Sequence, residues 1–371
     1  MASEGIARFK EHTHRKLTFI IALTAATVLL AVVTLKLNSG NIPFSDLFGI
    51  LFNRGGGNEL ADEILVWNLS MPRMASALLA GAALGVAGTV MQCVLRNPLG
   101  SPYTLGVSNA AAFGASIGIV VLGGGLISGQ SNASIIVDNP YIVTASSFFW
   151  AIVATGVIIL LVKVTKVSPE TMVLAGVALS SIFAAGISLL QYMYNEYALS
   201  TIVFWQFGSM GKATPEELML ILVVSLAAIL YFMYHRLDYN ALDAGDDVAS
   251  SLGVNVNALR LITLFISALL TAVVVSFMGI IAFIGLLGPP IVRRFVGTDP
   301  RYLIPGSMLM GAIILLVSDC VGQNIADFTI PVGIITSFLG GPMFLYLLVM
   351  GYRKKSSRIG SFIQKKRGEA Q

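Results

Sequence analysis

Arg236 to Arg260 reads RLDYNALDAGDDVASSLGVNVNALR, a polar stretch enclosed on both sides by segments that are too apolar to lie in water. We predict two short helical turns within it. Asp243 can cap the first, whose positively charged start is also favoured by the carboxylates of Asp246 and Asp247. Asn255 can cap the second, which runs toward the end of the stretch.

The first predicted helix carries a small apolar ridge. Val248, Ala249 and Leu252 fall on one face at helical spacing, and Gly253 can end the helix in a left-handed conformation. Such a ridge on a charged loop, fixed between two membrane spans, is suited to a groove on a partner protein. The alternative is a solvated loop whose charges only keep it in water.

The composition of the 371-residue chain excludes a soluble globular protein. Hydrophobic residues make up 56% of the chain and charged residues only 11%, and the mean hydropathy is +0.83. Too little polar surface remains to cover a soluble core. A membrane-spanning helix needs about 20 mostly apolar residues. We therefore predict an all-α polytopic membrane protein with ten spans: Phe19–Leu35, Met74–Leu95, Leu105–Leu126, Tyr141–Val162, Thr171–Met193, Leu218–Tyr234, Leu259–Phe277, Ile280–Val292, Tyr302–Cys320 and Val332–Tyr352.

Basic residues predict the orientation of these spans. With both termini on the cytoplasmic side, inner segments hold 19 of the 23 lysines and arginines, and only Lys36, Arg54, Arg73 and Lys212 lie outside. The chain then divides into a cytoplasmic N-terminal segment (1–18), a single transmembrane domain (19–352) and a basic cytoplasmic tail (353–371). The tail is suited to the anionic inner leaflet of the bilayer and not to nucleic acid.

Two broken segments lie near the inner surface, one in each half of the chain. Arg96–Pro102 reads RNPLGSP and follows the second span, where it can act as a gate or as an ordinary turn. Gly279–Pro290 reads GIIAFIGLLGPP and cannot form one straight helix, so we expect it to face the protein interior or a pathway. Because the two segments occupy spans that run in opposite directions, we predict an inverted repeat of spans 2–5 and 7–10.

The sequence shows no set of residues that would carry out chemistry. In the segment nearest to a phosphate-binding loop, Gln206 stands where the first glycine belongs, and Ala213 replaces the hydroxyl residue after the lysine. The three histidines have no metal-ligand spacing, so we predict no metal site and no catalytic residue. Gln92 and Asp319 are polar residues within spans, and each fits either a contact between helices or a pathway.

One long stretch of the chain resembles a known family. Met71 to Gly106 reads MPRMASALLAGAALGVAGTVMQCVLRNPLGSPYTLG, which is similar to the signature of the iron-siderophore and cobalamin permeases of type II ABC importers. The resemblance runs from about Asp46 to Gly351. Further matching motifs are Phe204–Trp205 with Gly208–Ser209, Leu252–Gly253, Ile284–Leu286, Asp299 with Arg301 and Pro305, Gly311–Ala312, and Pro331–Gly333 with Gly340 and Pro342.

The resemblance implies a subunit that pairs with a second copy or a sister subunit around a central translocation path. Two cytoplasmic ATPase subunits, which bind ATP and Mg, would grip the segment from Asp243 to Arg260. An extracytoplasmic binding protein would deliver the cargo. The chain itself would be no enzyme and would hold no cofactor. The implied ATPase contacts are Asp243, Val248, Ala249, Leu252, Gly253 and Arg260.

The resemblance also places gates and docking positions. The inner gates match Asn97 and Leu99 after the second span, and Ser168-Pro169-Glu170 between the fourth and fifth spans. The cobalamin permease contacts its binding protein through two arginines, and this chain has Ser70 and Gln323 at those docking positions. Two further departures are Pro289-Pro290 in place of the family's Pro-His, and Asp299-Pro300-Arg301 in place of its Asp-His-Arg.

Together these features predict a permease that imports a ferric siderophore or a similar iron chelate across the cytoplasmic membrane of a bacterium. Cobalamin or haem is the alternative cargo, because permeases of all three cargoes share these motifs. A membrane receptor or scaffold without transport is the alternative from another functional class.

Overall fold

The computed structural model describes residues 2–40, 42–52, 60–124, 139–165, 169–346 and 349. The regular secondary structure of these residues is helical, which confirms the all-α prediction. A π-helical segment, Leu65–Ser70, joins the third helix to the fourth without a break. The helices are α1 (Ala2–Asn38), α2 (Phe44–Phe52), α3 (Leu60–Ile64), α4 (Met71–Leu95), α5 (Val107–Val120), α6 (Pro140–Thr165), α7 (Pro169–Met193), α8 (Glu196–Gln206), α9 (Pro215–Tyr234), α10 (Arg236–Ala244), α11 (Asp246–Ser251), α12 (Val256–Met278), α13 (Ile284–Val296), α14 (Pro300–Asn324) and α15 (Val332–Tyr346).

Each predicted span corresponds to one of these helices. By length and composition, α1, α4, α6, α7, α9, α12 and α14 are long and apolar enough to cross a membrane. The shorter helices α5, α13 and α15 occupy the positions of the third, eighth and tenth spans. The helix α1 runs without interruption from Ala2 through most of the predicted N-terminal segment, residues 1–18, into the first span.

Two predicted span boundaries are wrong. The third span was expected to reach Leu126, but α5 ends at Val120. The eighth was expected at Ile280–Val292, but residues 279–283 are irregular and α13 begins at Ile284. The two helices have 14 and 13 residues, or about 20 Å each at 1.5 Å per residue. Irregular backbone before each helix therefore covers part of the bilayer thickness.

Helix packing follows the predicted inverted repeat. In this repeat α4 corresponds to α12, α5 to α13 and α6 to α14. Each main helix contact in one half therefore has a counterpart in the other. The contact of α4 with α14 corresponds to that of α12 with α6, and the contact of α5 with α6 corresponds to that of α13 with α14. The contact of α4 with α13 likewise corresponds to that of α12 with α5, and α4 and α12 pack on each other. The repeat thus has α4 and α12 at its centre.

Glycines allow the central helix α4 to approach its neighbours at backbone distance. A Cβ atom at Gly81 or Gly85 would overlap the backbone of α14 at Gly311 or Ser307, and one at Gly88 would overlap the carbonyl of Gly285 in α13. Small residues at helix contacts permit this approach in membranes, where apolar surface alone gives helices little reason to associate. The packing of both α13 and α14 therefore depends on this face of α4.

Replacement of Gly88 tests that dependence. Gly88→Ala should lower the midpoint of thermal unfolding in detergent, because overpacking of a fixed backbone contact costs about 1–3 kcal/mol. Gly156→Ala is the matched control, since a Cβ atom there meets nothing within 4 Å on α6. Alanine favours a helix over glycine by about 1 kcal/mol, so the control should keep or raise the midpoint. Equal midpoints for the two variants, measured by size-exclusion chromatography after heating, would contradict this account.

Candidate functional site

The polar stretch between α9 and α12 is anchored to the spans through α10. Tyr239 and Leu242 are fully buried on its inner face. The Tyr239 hydroxyl lies 2.9 Å from the Thr263 hydroxyl of α12, within hydrogen-bond distance. The first turn is closed by His235 and Asp238, whose Nδ1 and Oδ2 atoms lie 2.6 Å apart. These contacts make α10 a fixed support and leave α11 at the surface.

The structure corrects the predicted cap of the short helix. Asp243 lies in the last turn of α10 and caps nothing, because α10 continues to Ala244. Gly245, with φ of +131°, interrupts the helical conformation after Ala244, and α11 starts at Asp246. Asp246 and Asp247 do occupy the first turn of α11, where carboxylates are favoured.

The predicted apolar ridge is only partly exposed. Val248 is 44% and Leu252 is 69% exposed, whereas Ala249 is fully buried beneath α11. Ala249 therefore supports the helix and is not part of its surface. Gly253, which follows the C-cap residue Leu252 of α11, has φ of +87°, as expected for a left-handed helix end.

The second predicted turn is the first turn of the seventh span itself. The Asn255 side chain accepts a 3.1 Å hydrogen bond from the Ala258 amide, so the predicted cap is confirmed. The helix that it caps is α12, which passes through Arg260 and continues to Met278. Only Leu252–Asn255 therefore separates α11 from a membrane span.

Arg260 joins α11 to the inner end of α4. Its Nη2 atom donates to both carboxylate oxygens of Asp246, at 3.2 and 3.0 Å. Its Nε atom donates to the Val94 carbonyl at 3.0 Å. Arg96, just beyond the end of α4, lies 3.9 Å from the same carboxylate. A single guanidinium thus holds the start of α11, the start of α12 and the end of α4 together.

The candidate gate turn begins at that same end of α4. Arg96 adopts a left-handed conformation with φ of +46°. Asn97 then folds the chain, since its Oδ1 accepts from the Leu99 amide at 3.0 Å and its carbonyl accepts from the Gly100 amide at 3.1 Å. Leu99 is partly exposed on this turn. Two hydrogen bonds hold the turn in this conformation, and it begins two residues after Val94, whose carbonyl Arg260 binds.

The other expected gate lies largely outside the described residues. Ser168 falls in the undescribed segment 166–168. Pro169 and Glu170 open α7, the fifth span. The sequence interpretation of this gate therefore stays a prediction.

The two broken segments meet inside the protein. The ring of Tyr103, the residue after the first broken segment, lies 5.3 Å from the ring of Phe283 in the second. The helices α5 and α13 are each preceded by a residue of positive φ, Gly106 at +82° and Phe283 at +65°. The expectation that the second break faces the protein interior is confirmed, because Ile281, Ala282 and Ile284 are buried.

Gln92 stabilises the proline-containing helix from the neighbouring span. Pro289 lacks the amide hydrogen that would bind the carbonyl of Gly285 within α13. The Gln92 side chain donates to this carbonyl instead, at 3.2 Å. Of the two roles left open for Gln92, the structure shows the contact between helices.

Polar residues at the predicted outer end also connect spans. Arg73 of α4 donates to both oxygens of Asp319 of α14, at 3.0–3.2 Å. Gln323 donates to the same carboxylate at 2.8 Å. Ser70 is 1% exposed. Of the two expected docking positions, Gln323 therefore contacts a structural ion pair that joins the second and ninth spans, and Ser70 is buried directly before α4.

Comparison with known proteins places this arrangement in a family. The model of the FecCD transport family matches residues 20–350. The chain belongs to the FecCD transport family. Its members are transmembrane permease components of ABC importers, in which ATP hydrolysis belongs to a separate subunit. A similar protein is an ABC transporter permease protein of Methanocaldococcus jannaschii, 42% identical over 94% of this chain and 98% of its own length.

Two further FecCD-like proteins carry more specific descriptions. The Fe(3+)-citrate import system permease protein of Bacillus subtilis is 32% identical over 92% of this chain and 97% of its own length. A solved structure, described as an inward-facing conformation of a metal-chelate type ABC transporter, superposes with a TM-score of 0.75 at 28% identity. It covers 90% of this chain and 99% of its own. The fold of this FecCD chain is therefore that of a polytopic ABC permease.

The Arg260 bridge can be tested by transport. Arg260→Ala should reduce ATP-driven uptake by about fivefold or more. This factor corresponds to the lower end of typical coupling free energies between two sites. Arg260→Lys should restore only part of the activity, because one ammonium group cannot reproduce a guanidinium that binds a carbonyl and a carboxylate at once. Uptake would be measured in proteoliposomes that contain the complete transporter.

Arg15→Ala is the matched control, since Arg15 forms an exposed ion pair with Glu11 on α1. Exposed pairs of this kind contribute little, about 0–1 kcal/mol, so the control should transport normally. Full uptake by Arg260→Ala would show that the bridge plays no part in transport.

Proposed function

We propose that this chain is the permease through which an ATP-driven importer carries a ferric siderophore or a similar iron chelate across the cytoplasmic membrane. The observation that carries the proposal is the Arg260 bridge, which links the exposed helix α11 to the turn at Asn97. A force applied to α11 would reach the candidate gate through two hydrogen-bonded contacts. This is the connection that a transporter driven by a separate ATPase requires.

The cargo proposal rests on two comparisons and on the sequence resemblance. The Bacillus subtilis relative is described as an Fe(3+)-citrate import permease, and the solved structure as a metal-chelate type transporter. Both descriptions name a chelated metal as the transported compound, which supports a whole chelate as the cargo of this chain. Cobalamin and haem are also bulky chelates of a metal, and they remain the alternative cargoes.

In the proposed assembly, this chain lies in the lipid bilayer with four other protein subunits. Two cytoplasmic ATPase subunits bind ATP and Mg and grip α11, while a second permease copy or a sister subunit completes the translocation path. An extracytoplasmic binding protein delivers the chelate, and the lipid bilayer surrounds the whole. We place both termini on the cytoplasmic side of a bacterial membrane, as the distribution of basic residues predicts.

Exposed apolar side chains on α7 support a second permease subunit. Leu174, Val177 and Leu189 are 54–67% exposed on this helix, and only 17% of its most apolar part is buried within the chain. A span with so few internal contacts needs lipid or another protein on its remaining faces. We assign one of these faces to the partner permease.

Leu252 tests the proposed contact with the ATPase. Leu252→Glu should prevent co-purification of the ATPase while membrane insertion is unchanged, because a charge replaces an apolar side chain that makes little contact with the spans. Leu37→Glu is the matched control: Leu37 is 46% exposed at the far end of α1, and its replacement should leave the ATPase bound. A normal ATPase ratio in the Leu252 variant would exclude α11 as the docking helix.

Uptake assays in a deletion strain test the cargo. Cells that lack the gene would be supplied with radioactive iron as individual siderophores, citrate, haem or simple salts, with labelled cobalamin in parallel. We expect loss of uptake for one iron chelate, restored by the intact gene but not by the Leu252→Glu variant. Lost cobalamin uptake with normal iron uptake would instead establish the alternative cargo. Normal uptake of every compound would favour a receptor or scaffold without transport.

A further inference from the structure

The short helix α2, which follows the end of α1 on the predicted outer side, carries a row of exposed phenylalanines. Phe44, Phe48 and Phe52 recur every four residues, so they lie on one face of the helix. Their exposed fractions are 48%, 45% and 86%. Successive ring centres lie 6.4 and 6.3 Å apart, with the rings stacked. We call these three residues the phenylalanine row. An exposed apolar surface of this kind marks an interaction site.

The opposite side of α2 is fixed to the protein. Leu47 and Ile50 are buried and form one hydrophobic cluster with Leu35 of α1 and Val66 of the π-helical segment. The Nε1 atom of Trp67, in the same segment, donates to the Ile50 carbonyl at 3.3 Å. A rotation of α2 that buried the phenylalanine row would expose this cluster. The row is therefore held on the surface by the packing of the helix.

A third side of α2 is polar. Ser45 is exposed and Asp46 is half-buried, and the Ser45 hydroxyl donates to the Asp46 carboxylate at 3.0 Å. The helical spacing places these two residues between the phenylalanine row and the buried side. The helix thus has one side for the protein core, one apolar side and one side for water. This is the pattern of a helix that lies in the plane of a membrane surface.

The neighbouring helix α1 has a wide surface for lipid. Only 22% of its most apolar part is buried within the chain. Leu23, Thr27 and Thr34 form its buried stripe, whereas Leu29 and Val33 are exposed on the other side. The exposed positions extend around more than half of the circumference of α1. A membrane span that is apolar over so wide an arc borders lipid.

Lys36 marks where this lipid-facing side of α1 meets the membrane surface. It follows Val33 by three residues and so lies on the same face. Its ammonium group donates to the Gly40 carbonyl at 2.9 Å and lies 6.0 Å from the ring centre of Phe44. A lysine at the end of a span keeps its charge at the membrane surface while its stem lies along apolar surface. The phenylalanine row therefore begins at the membrane surface, on a side of α1 that borders lipid.

We propose that α2 lies in the surface of the bilayer, with the phenylalanine row inserted into the adjacent lipid leaflet. Phenylalanine side chains have no hydrogen-bonding atom, which suits them to acyl chains. A protein that approached from water would instead meet the polar side at Ser45 and Asp46. Because α2 packs on α1 and binds Trp67, the bilayer would hold the ends of both the first and the second span at a fixed depth.

The first test measures the depth of the phenylalanine row. A nitroxide spin label would be attached to Phe48→Cys in the full chain, with the two natural cysteines, Cys93 and Cys320, replaced by alanine. Electron paramagnetic resonance in liposomes then compares collisions with oxygen, which concentrates in lipid, and with a nickel chelate, which stays in water. We expect the label to collide mainly with oxygen, at a depth of about 5–10 Å below the headgroup surface.

Ser250→Cys is the matched control for the label. Ser250 is exposed on α11, and without the ATPase its label should collide mainly with the nickel chelate. A label at position 48 that is as accessible to nickel as this control would place the phenylalanine row in water and overturn the proposal. A label at position 48 that is protected from both reagents would also overturn it, because a second permease copy would then cover the row.

The second test measures how firmly the bilayer holds α2. Phe48→Glu should accelerate hydrogen exchange of the α2 amides in lipid nanodiscs by about fivefold, because half of the ring is exposed and burial of a whole phenylalanine corresponds to a factor of about ten or more. Phe48→Leu should keep exchange slow. Ser45→Glu is the matched control, since it places the same charge on the polar side of the same helix, and it should leave exchange unchanged.

Unchanged exchange in Phe48→Glu would overturn the proposal. Equal acceleration in Ser45→Glu would do the same, since a charge anywhere on α2 would then be enough to loosen it. Both tests use the permease alone in lipid, without ATPase, binding protein or cargo. Their outcome is therefore independent of the proposed function.

Discussion

Every polar group of a backbone inside a bilayer must find its partner within the protein, and the architecture of this permease depends on how that constraint is met. The helix α13 carries two adjacent prolines at membrane depth. The side chain of Gln92 donates to the Gly285 carbonyl that Pro289 leaves without its usual partner. The donor can reach it only because Gly88 allows α4 and α13 to touch at backbone distance. A close helix contact and a polar side chain together make the broken span possible.

The same contact limits how the protein can move. Since α4 meets α13 and α14 through backbone atoms, a bend in α4 would disrupt packing along its whole length. Proteins with such closely packed interiors change shape by discrete rearrangement and not by continuous deformation. Motion of α4 would therefore take the form of a rigid displacement, shared by both ends. The Arg73–Asp319 ion pair at one end and the Arg260 contact at the other lie on this single rigid helix.

Local features of the structure could be predicted from the sequence, and contacts between distant segments could not. The glycine end at Gly253 and the cap at Asn255 depend on neighbouring residues, which the sequence shows directly. Asp243 was predicted wrongly as a cap because α10 extends past it, and only the burial of Tyr239 and Leu242 against the spans explains that extension. The Arg260–Val94 contact joins residues 166 positions apart. No local pattern indicates such a pair, although Arg260 itself was among the expected coupling residues.

The position of Arg260 suggests why a permease of this kind would use arginine at the junction of α11 and α4. A lysine could neutralise Asp246, but it could not at the same time hold the Val94 carbonyl in a fixed direction. That carbonyl belongs to the last turn of α4, where helix carbonyls lack partners within the helix. By binding it, Arg260 stabilises the end of α4 and fixes the direction in which the chain continues into the turn at Asn97. If α11 receives the ATPase, as proposed, its displacement would pull on Asp246 and so change the geometry of this one helix end. Because α4 packs on α13 and α14 through backbone contacts, we expect the change to alter the conformation of the turn before it alters the core.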